Sequence, residues 1–350
     1  MKTAVILFNL GGPDRPEAVK PFLFNLFNDP AIIRVPRLLR KLIATLISNR
    51  REKPAQQIYA QIGGHSPILI NTQRQAEALE KVFAENTVAG LGEVKCFVAM
   101  RYWHPFVEDI VEDVKDFEPD QIVLLPLYPQ FSTTTTDSSL KSWHAASRKI
   151  GLNVPTKTVC CYPGEDGFIR SLAQLTRSAC DEARKIGAPR ILFSAHGLPE
   201  KIIRAGDPYQ HQCERTVQAI VKELALDHQD YTLCYQSRVG PLKWIGPATE
   251  EEIKRAGRDK APLVVVPIAF VSEHSETLVE IDIEYRHLAE QSGVPFYAYA
   301  GTVGIMSEFI DGLAALVRNA ALRHDDCVSA SGARQCPDAL SGCPCKAANP

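Results

Sequence analysis

The sequence predicts an α/β protein with parallel sheets, divided between two domains. Three observations carry this. Short apolar runs recur along the chain, stretches of helical length separate most of them, and the runs are continuously apolar, as strands buried on both faces must be. In order they are TAVILFNL (3–10), VKCFVAM (94–100), QIVLLPL (121–127), ILFSAH (191–196), YTLCYQS (231–237), PLVVVPIAF (262–270) and PFYAYAG (295–301). A chain of 350 residues is long enough for two packed domains. The turn from Gly151 to Pro155 marks the boundary, giving domains 1–150 and 151–326. The tail, 327–350, is rich in Ser, Gly, Pro and Cys without helical period, and is expected to stay unstructured unless something ties it down.

With 45% hydrophobic and 23% charged residues the chain reads as soluble globular material, neither fibre nor disordered polymer. A net charge of -2 supplies no field to hold phosphate backbones, so nucleic acid is not an expected partner. The opening MKTAVILFNLGGPD breaks at Gly11-Gly12, too early for a signal peptide, and reads as a buried strand. No run reaches the roughly 18 apolar residues of a membrane span. A cytoplasmic location is expected, with attachment to the inner face of a membrane left open. Ten cysteines outside a secretory context argue for thiols or metal ligands over a disulfide frame.

In such folds ligands bind beyond the carboxyl ends of the strands. There the sequence delivers Gly11-Gly12-Pro13, Arg101-Tyr102-Trp103-His104, Tyr128-Pro129-Gln130-Phe131, His196-Gly197, Gln236-Ser237-Arg238-Val239-Gly240 and Ser272-Glu273-His274-Ser275-Glu276. The glycine-rich loops that cradle dinucleotides or nucleoside triphosphates are missing, which lowers both chemistries. The last stretch is the most unusual, because a core strand runs straight into acid. As a helix from near Ser275 it would pack Leu278, Ile281, Tyr285 and Leu288 on the sheet and align Glu273, Glu276, Glu280 and Glu284 as a ridge. A solvated acidic face would look the same, and a lone His196 after an apolar run is commonly a hydrogen-bonded core residue. Together, however, imidazole nitrogen and carboxylate oxygen suit a borderline metal such as iron(II), held loosely enough to be released. Carboxylates leading away from the metal can carry protons.

At these residues the chain resembles the ferrochelatase family, enzymes that insert iron(II) into protoporphyrin IX to form protohaem. ILFSAHGLPEKIIRAGDPY, CYQSRVGPLKWIGPAT and FVSEHSETLVEIDIEY are similar to its three strongest motifs. LFNLGGPD, QIYAQIGGHSPI, MRYWHPF and LPLYPQFSTTTTDSSL follow in family order, so the resemblance spans roughly 3 to 320. It implies two Rossmann-like, chelatase-like domains with the active-site cleft between them. It further implies that His196 and Glu276 handle metal from opposite walls, with His196 as base for the pyrrole protons. Glu273, His274, Glu280 and Glu284 would extend an acidic, solvated path for protons and metal.

The same resemblance assigns Leu10, Tyr102, Tyr128 and Trp244 to the porphyrin faces, and Arg51, Tyr59, Ser66 and Arg101 to polar contacts. Between Pro21 and Lys53, Leu38, Leu39, Leu42, Ile43, Leu46 and Ile47 recur at helical spacing among Arg34, Arg37, Arg40, Lys41, Arg50 and Arg51. This is either an amphipathic helix packed on its own domain or, on the family reading, an apolar lip over the porphyrin mouth. A basic-apolar helix can also rest on an anionic membrane surface.

Cys336, Cys343 and Cys345 cluster in the tail. Animal members of the family place three ligands of a two-iron, two-sulfur cluster in such a tail, and a fourth where this chain has Thr133. Bacterial members with a compact Cys tail point instead to Cys161, or failing it Cys160, as the internal [2Fe-2S] ligand. Structural zinc and unligated thiols are the rivals. Other functions compatible with the residues are coproporphyrin as substrate, chelation of cobalt or nickel into another tetrapyrrole, and a non-enzymatic haem carrier. The sequence leaves a homodimer open.

Overall fold

The computed structural model of the protein describes residues 1–86, 90–226, 230–238, 240 and 242–345, so Val239 of the strand ends named above lies outside the described residues. The first half runs β1 (Lys2–Asn9), α1 (Val19–Phe27), α2 (Arg37–Ala60), α3 (Ile68–Glu85), β2 (Glu93–Met100), α4 (Val107–Phe117), β3 (Gln121–Pro126), α5 (Thr136–Ile150) and β4 (Thr156–Cys161). Then follow α6 (Asp166–Arg184), β5 (Arg190–His196), α7 (Glu200–Arg204), α8 (Tyr209–Leu224), β6 (Tyr231–Gln236), α9 (Thr249–Asp259) and β7 (Leu263–Pro267). A π-helix (Glu276–Glu284), α10 (Tyr285–Ser292), β8 (Tyr297–Tyr299), α11 (Ser307–Leu322) and β9 (Cys327–Ser329) complete the order.

Two parallel sheets result, ordered β2-β1-β3-β4-β9 and β6-β5-β7-β8. The sequence pattern is explained by position: β1, β3 and β7 sit between neighbours and carry helices on both faces, so Ala4 to Leu7 and Leu263 to Val266 are wholly buried. β2 and β6 lie at sheet edges, and each begins with an exposed residue.

The change of sheet does not fall at Gly151. That glycine, with φ of 68°, ends α5 in the left-handed conformation, and the chain goes on to form β4 beside β3. β4 reads TKTVCC, too short and too polar at its start to stand out as a strand. The second sheet begins only at β5, and α11 brings the chain back so that β9 pairs with β4. The division expected at about residue 150 therefore shifts. Residues 2–161 and 327–329 build one sheet, and 190–299 the other.

The tail is also more ordered than its composition predicts. Arg334 donates to the carbonyls of Cys336 (3.1 Å), Pro337 (3.1 Å), Leu340 (3.0 Å) and Cys345 (3.3 Å), and the Gly342 amide donates to Gly206 (2.9 Å). A guanidinium with several donors in a fixed fork replaces the apolar core that so short a segment lacks. Among the described residues no helix is long and apolar enough to cross a membrane.

Candidate active site

β5 delivers His196 at its carboxyl end, and β7 leads through the turn 268–275 to Glu276 at the start of the π-helix. Because β5 and β7 are neighbours in one sheet, the two residues do not face each other from opposite walls. His196 Nδ1 lies 3.1 Å from Glu276 Oε2. Their side chains keep 36% and 32% of their surface open, so the pair borders solvent without being surrounded by it.

Burial works against charge on both, yet the pair wins. His196 is pushed down by burial, but the adjacent Glu276 carboxylate, with Glu280 behind it, raises it overall above the ordinary histidine value. Burial likewise pushes Glu276 up, and its contacts with His196 and the nearby His274 overcome this, holding it well below the usual carboxylate range. His274 Nε2 is 3.7 Å from the same Glu276 oxygen, while its Nδ1 sits 3.1 Å from the Ser272 carbonyl.

The remaining acids are less alike than a ridge suggests. Residues 276–284 form a π-helix, whose i→i+5 bonding is shown by the Tyr285 amide on the Glu280 carbonyl. Its buried side chains are Thr277, Val279 and Ile281, with Leu278 only half-buried. Glu280 accepts from Gln236 Nε2 (3.1 Å), the Ser237 amide (2.8 Å), the Ser237 hydroxyl and Tyr285 Oη (3.1 Å). Burial, then the charge of Glu276, raises its pKa. Glu273 accepts from Tyr299 Oη, the Thr302 amide and hydroxyl (3.0 Å each) and Thr277 Oγ1 (2.5 Å). His274 is 5% exposed, whereas Glu284 is open to solvent. Of the four residues expected along a solvated path, Glu284 is exposed, Glu273 and Glu280 are half-buried among their donors, and His274 is buried.

The pocket candidates divide similarly. Tyr59, near the end of α2, is buried within reach of the acidic turn, with the Ser275 hydroxyl 3.4 Å from its oxygen. Burial lifts its hydroxyl to about 12, with the Ser275 hydroxyl, which donates to it, opposing and Glu276 adding, so it keeps its proton. Leu10 packs beside Tyr59, Tyr102 and Trp103. Tyr102 and Arg101 both engage Asp29: Tyr102 Oη and Arg101 Nη2 each lie 2.8 Å from Asp29 Oδ2, and Arg101 Nε donates to Ser138 (2.8 Å). Arg101 is therefore a cation already paired, not a free polar contact. Asp29, 3% exposed, is the missed residue here; FNDP looks like a plain turn in sequence.

Tyr128 is half-buried against the core of the first sheet, with burial raising its hydroxyl. Ser66 crowds Gly12, where a Cβ would come 2.5 Å from that of Ser66, so the Gly-Gly turn is sterically required. Arg51 is exposed and lies over the Phe27 ring at 6.0 Å. Trp244 is half-buried, its backbone bridged to Pro199.

α2 packs on α1 through Ala44 and Ser48, leaving Leu38 (84%), Leu42 (57%) and Leu46 (60%) exposed at i, i+4 and i+8. The leucine stripe is thus not the buried side of an amphipathic helix. It faces outward beside Arg37, Lys41 and Arg50, which are exposed too.

A second cluster holds sulfur. Cys160, Cys161, Cys336, Cys343 and Cys345 are buried together with Phe131, and Cys327 of β9 packs on them. The sulfurs of Cys160, Cys327 and Cys345 lie within 4.8 Å of one another, and Gln212 Nε2 is 3.2 Å from Cys336 Sγ. Hydrogen bonds shared with Cys160 and Cys345 hold the Cys327 thiol down to about 5. Cys327 was not legible as a partner, because only the β4–β9 pairing brings it alongside Cys160 and Cys161.

A sequence model of the ferrochelatase family matches residues 2–321. The chain is 52% identical over 345 residues to a ferrochelatase of Caulobacter vibrioides, covering 99% of this chain and 98% of that one. It is 46% identical over 349 residues to the ferrochelatase of Pelagibacter ubique, covering 99% of both. Among solved structures, SirB from Bacillus subtilis with Fe3+ aligns with a TM-score of 0.50 at 15% identity, over 92% of this chain and 96% of that one, a likeness of fold. Matched over nearly its whole length and half identical to named members, the chain belongs to the ferrochelatase family, the lyases that insert iron into a porphyrin in haem synthesis.

Proposed function

We propose that this chain inserts iron(II) into protoporphyrin IX at the His196–Glu276 pair. The observation that carries the reading is that contact, 3.1 Å long and open to solvent on one side, while the neighbouring Glu273 and Glu280 are already saturated by donors. Metal entry must expel two pyrrole protons. His196 in its neutral form is the base for them, and Glu276 stabilises the imidazolium that results. The Glu276 carboxylate also draws the cation toward the pair. Leu10, Tyr102, Tyr128 and Trp244 are read as walls for the macrocycle, with Arg51, Tyr59 and Ser66 at its polar edge and Arg101 behind them on Asp29. Bending the ring would expose its nitrogen lone pairs to the incoming ion.

The exposed Leu38, Leu42 and Leu46 with their basic neighbours favour a lip at the porphyrin mouth resting on an anionic membrane surface, in the cytoplasm. The sulfur cluster fits a [2Fe-2S] group: its donors are buried thiols with no carboxylate among them, and Cys161, Cys336, Cys343 and Cys345 would hold it, with Cys160 and Cys327 beside them. Such a group would tie the tail to β4, since metal insertion itself transfers no electrons. Assay of purified protein with iron(II) under anaerobic conditions, against protoporphyrin and coproporphyrin separately, tests the function. Turnover with protoporphyrin supports the reading. Turnover with coproporphyrin alone, or stoichiometric haem binding without turnover, would replace it.

A further inference from the structure

The turn that carries Glu273, His274 and Glu276 is braced from the other half of the molecule. α3 crosses that boundary with Thr72, Gln75 and Leu79 fully buried. Gln75 Nε2 donates to the carbonyls of Val271 and Gly304, both at 2.9 Å, and its Oε1 accepts from Ser272 Oγ at 2.9 Å. One helical turn earlier, Asn71 Nδ2 donates to the Glu273 carbonyl at 3.2 Å. A primary amide has two N–H donors and one carbonyl acceptor, and here, on a fully buried Gln75, they meet two carbonyls and one hydroxyl. No apolar or acidic side chain can make that set of bonds.

The hydrogen bonds of Gln75 among the described residues go to neither His196 nor Glu276 but to Gly304, Val271 and Ser272, the last two four to five residues upstream of Glu276. Glu273 and His274 join that clamp to the helical turn carrying Glu276, which opens with the Thr277 and Leu278 amides on the His274 carbonyl (3.2 and 2.9 Å). The catalytic contact is a single 3.1 Å distance, and displacements of about 1 Å can cost on the order of a hundredfold in rate. We propose that Gln75 is a positioning residue for iron insertion, which sets the Glu276 carboxylate against His196 by clamping the 271–273 turn to α3. The inference rests on the His196–Glu276 reading above.

The test compares Gln75→Leu and Ser272→Ala with wild type, and runs His196→Ala alongside. Turnover and KM for iron(II) come from anaerobic insertion, porphyrin Kd from fluorescence quenching, and folding from thermal melts. Gln75→Leu is expected to lower kcat at least tenfold and raise KM for iron(II), with porphyrin Kd within about twofold and a single cooperative melt. Ser272→Ala, which removes one of the three bonds and keeps the amide, should move both kinetic constants the same way by less. Should Gln75→Leu fail to fold, Ser272→Ala decides on the same criteria. Wild-type kcat and iron KM in the folded variants would overturn the inference, as would a loss of porphyrin affinity as large as the loss of turnover. Near-normal turnover in His196→Ala would instead overturn the site reading beneath it.

Discussion

His196 Nδ1 and Glu276 Oε2 lie 3.1 Å apart although 80 positions separate the residues, because β5 and β7 are adjacent parallel strands whose carboxyl ends lie side by side. His196→Ala and Glu276→Gln are each expected to lower iron insertion at least a hundredfold, about 2.7 kcal/mol in barrier. His196 is the last residue of β5 and Glu276 lies beyond β7, and both side chains are partly open, so the fold and porphyrin binding should persist. A variant turning over within threefold of wild type would remove that residue from the mechanism.

The same contact sets a pH dependence. The groups facing His196 are Glu276 and Glu280, with His274 and Tyr59 next to Glu276; burial lowers the imidazole pKa, but the two carboxylates outweigh it and raise it above its ordinary 6.5. A base must be neutral, so kcat/KM should rise with pH through a limb above 6.5. For stability the sign is the reverse: the contribution is full below the unfolded value of 6.5 and fades as pH climbs through the folded one. NMR titration of the imidazole should show the raised value in wild type and a lower one in Glu276→Gln. Identical titrations in the two proteins would refute the coupling.

Asp29 takes Arg101, Tyr102 and Ser138 at once in a nearly closed site. Removing it strands a largely buried cation and two hydroxyls. Asp29→Ala should cost about 3 kcal/mol in chemical denaturation, whereas an exposed acid such as Glu284→Ala should stay within roughly 0.5 kcal/mol. Equal, small effects would show that Arg101 finds water instead.

Leu42→Ser and Leu46→Ser act on an open face, so the melting temperature should move by no more than a degree or two. Co-sedimentation with vesicles containing anionic lipid, or porphyrin affinity, should fall severalfold. A collapse of melting temperature and soluble yield would return these leucines to a packed interface.

Anaerobically purified protein should be brown, with about two iron and two sulfide per chain. Serine at Cys161, Cys336, Cys343 or Cys345 should bleach it and lower yield, because the bound group contributes to folding. Stoichiometric zinc without sulfide would replace the cluster by a structural zinc site. Colour kept in Cys161→Ser and lost in Cys160→Ser or Cys327→Ser would move the internal ligand.

The sequence by itself determined the parallel α/β class, the family and the residues at the strand ends, because strand burial is written in continuous apolar runs and the long motifs lie in one order. It named His196, Glu276 and the tail cysteines for the same local reason. Only the tertiary structure decided which of them meet. Strand order placed His196 against Glu276 on one wall, hydrogen-bond donors from Gln236, Tyr299 and Thr302 closed off Glu280 and Glu273, and the β4–β9 pairing carried Cys327 to Cys160. Burial of the Ala44 and Ser48 face of α2, rather than of its leucine stripe, turned Leu38, Leu42 and Leu46 outward. A one-dimensional pattern states which side chains want partners. Which partner each one finds depends on contacts between residues tens or hundreds of positions apart, and those exist only once the sheets are paired.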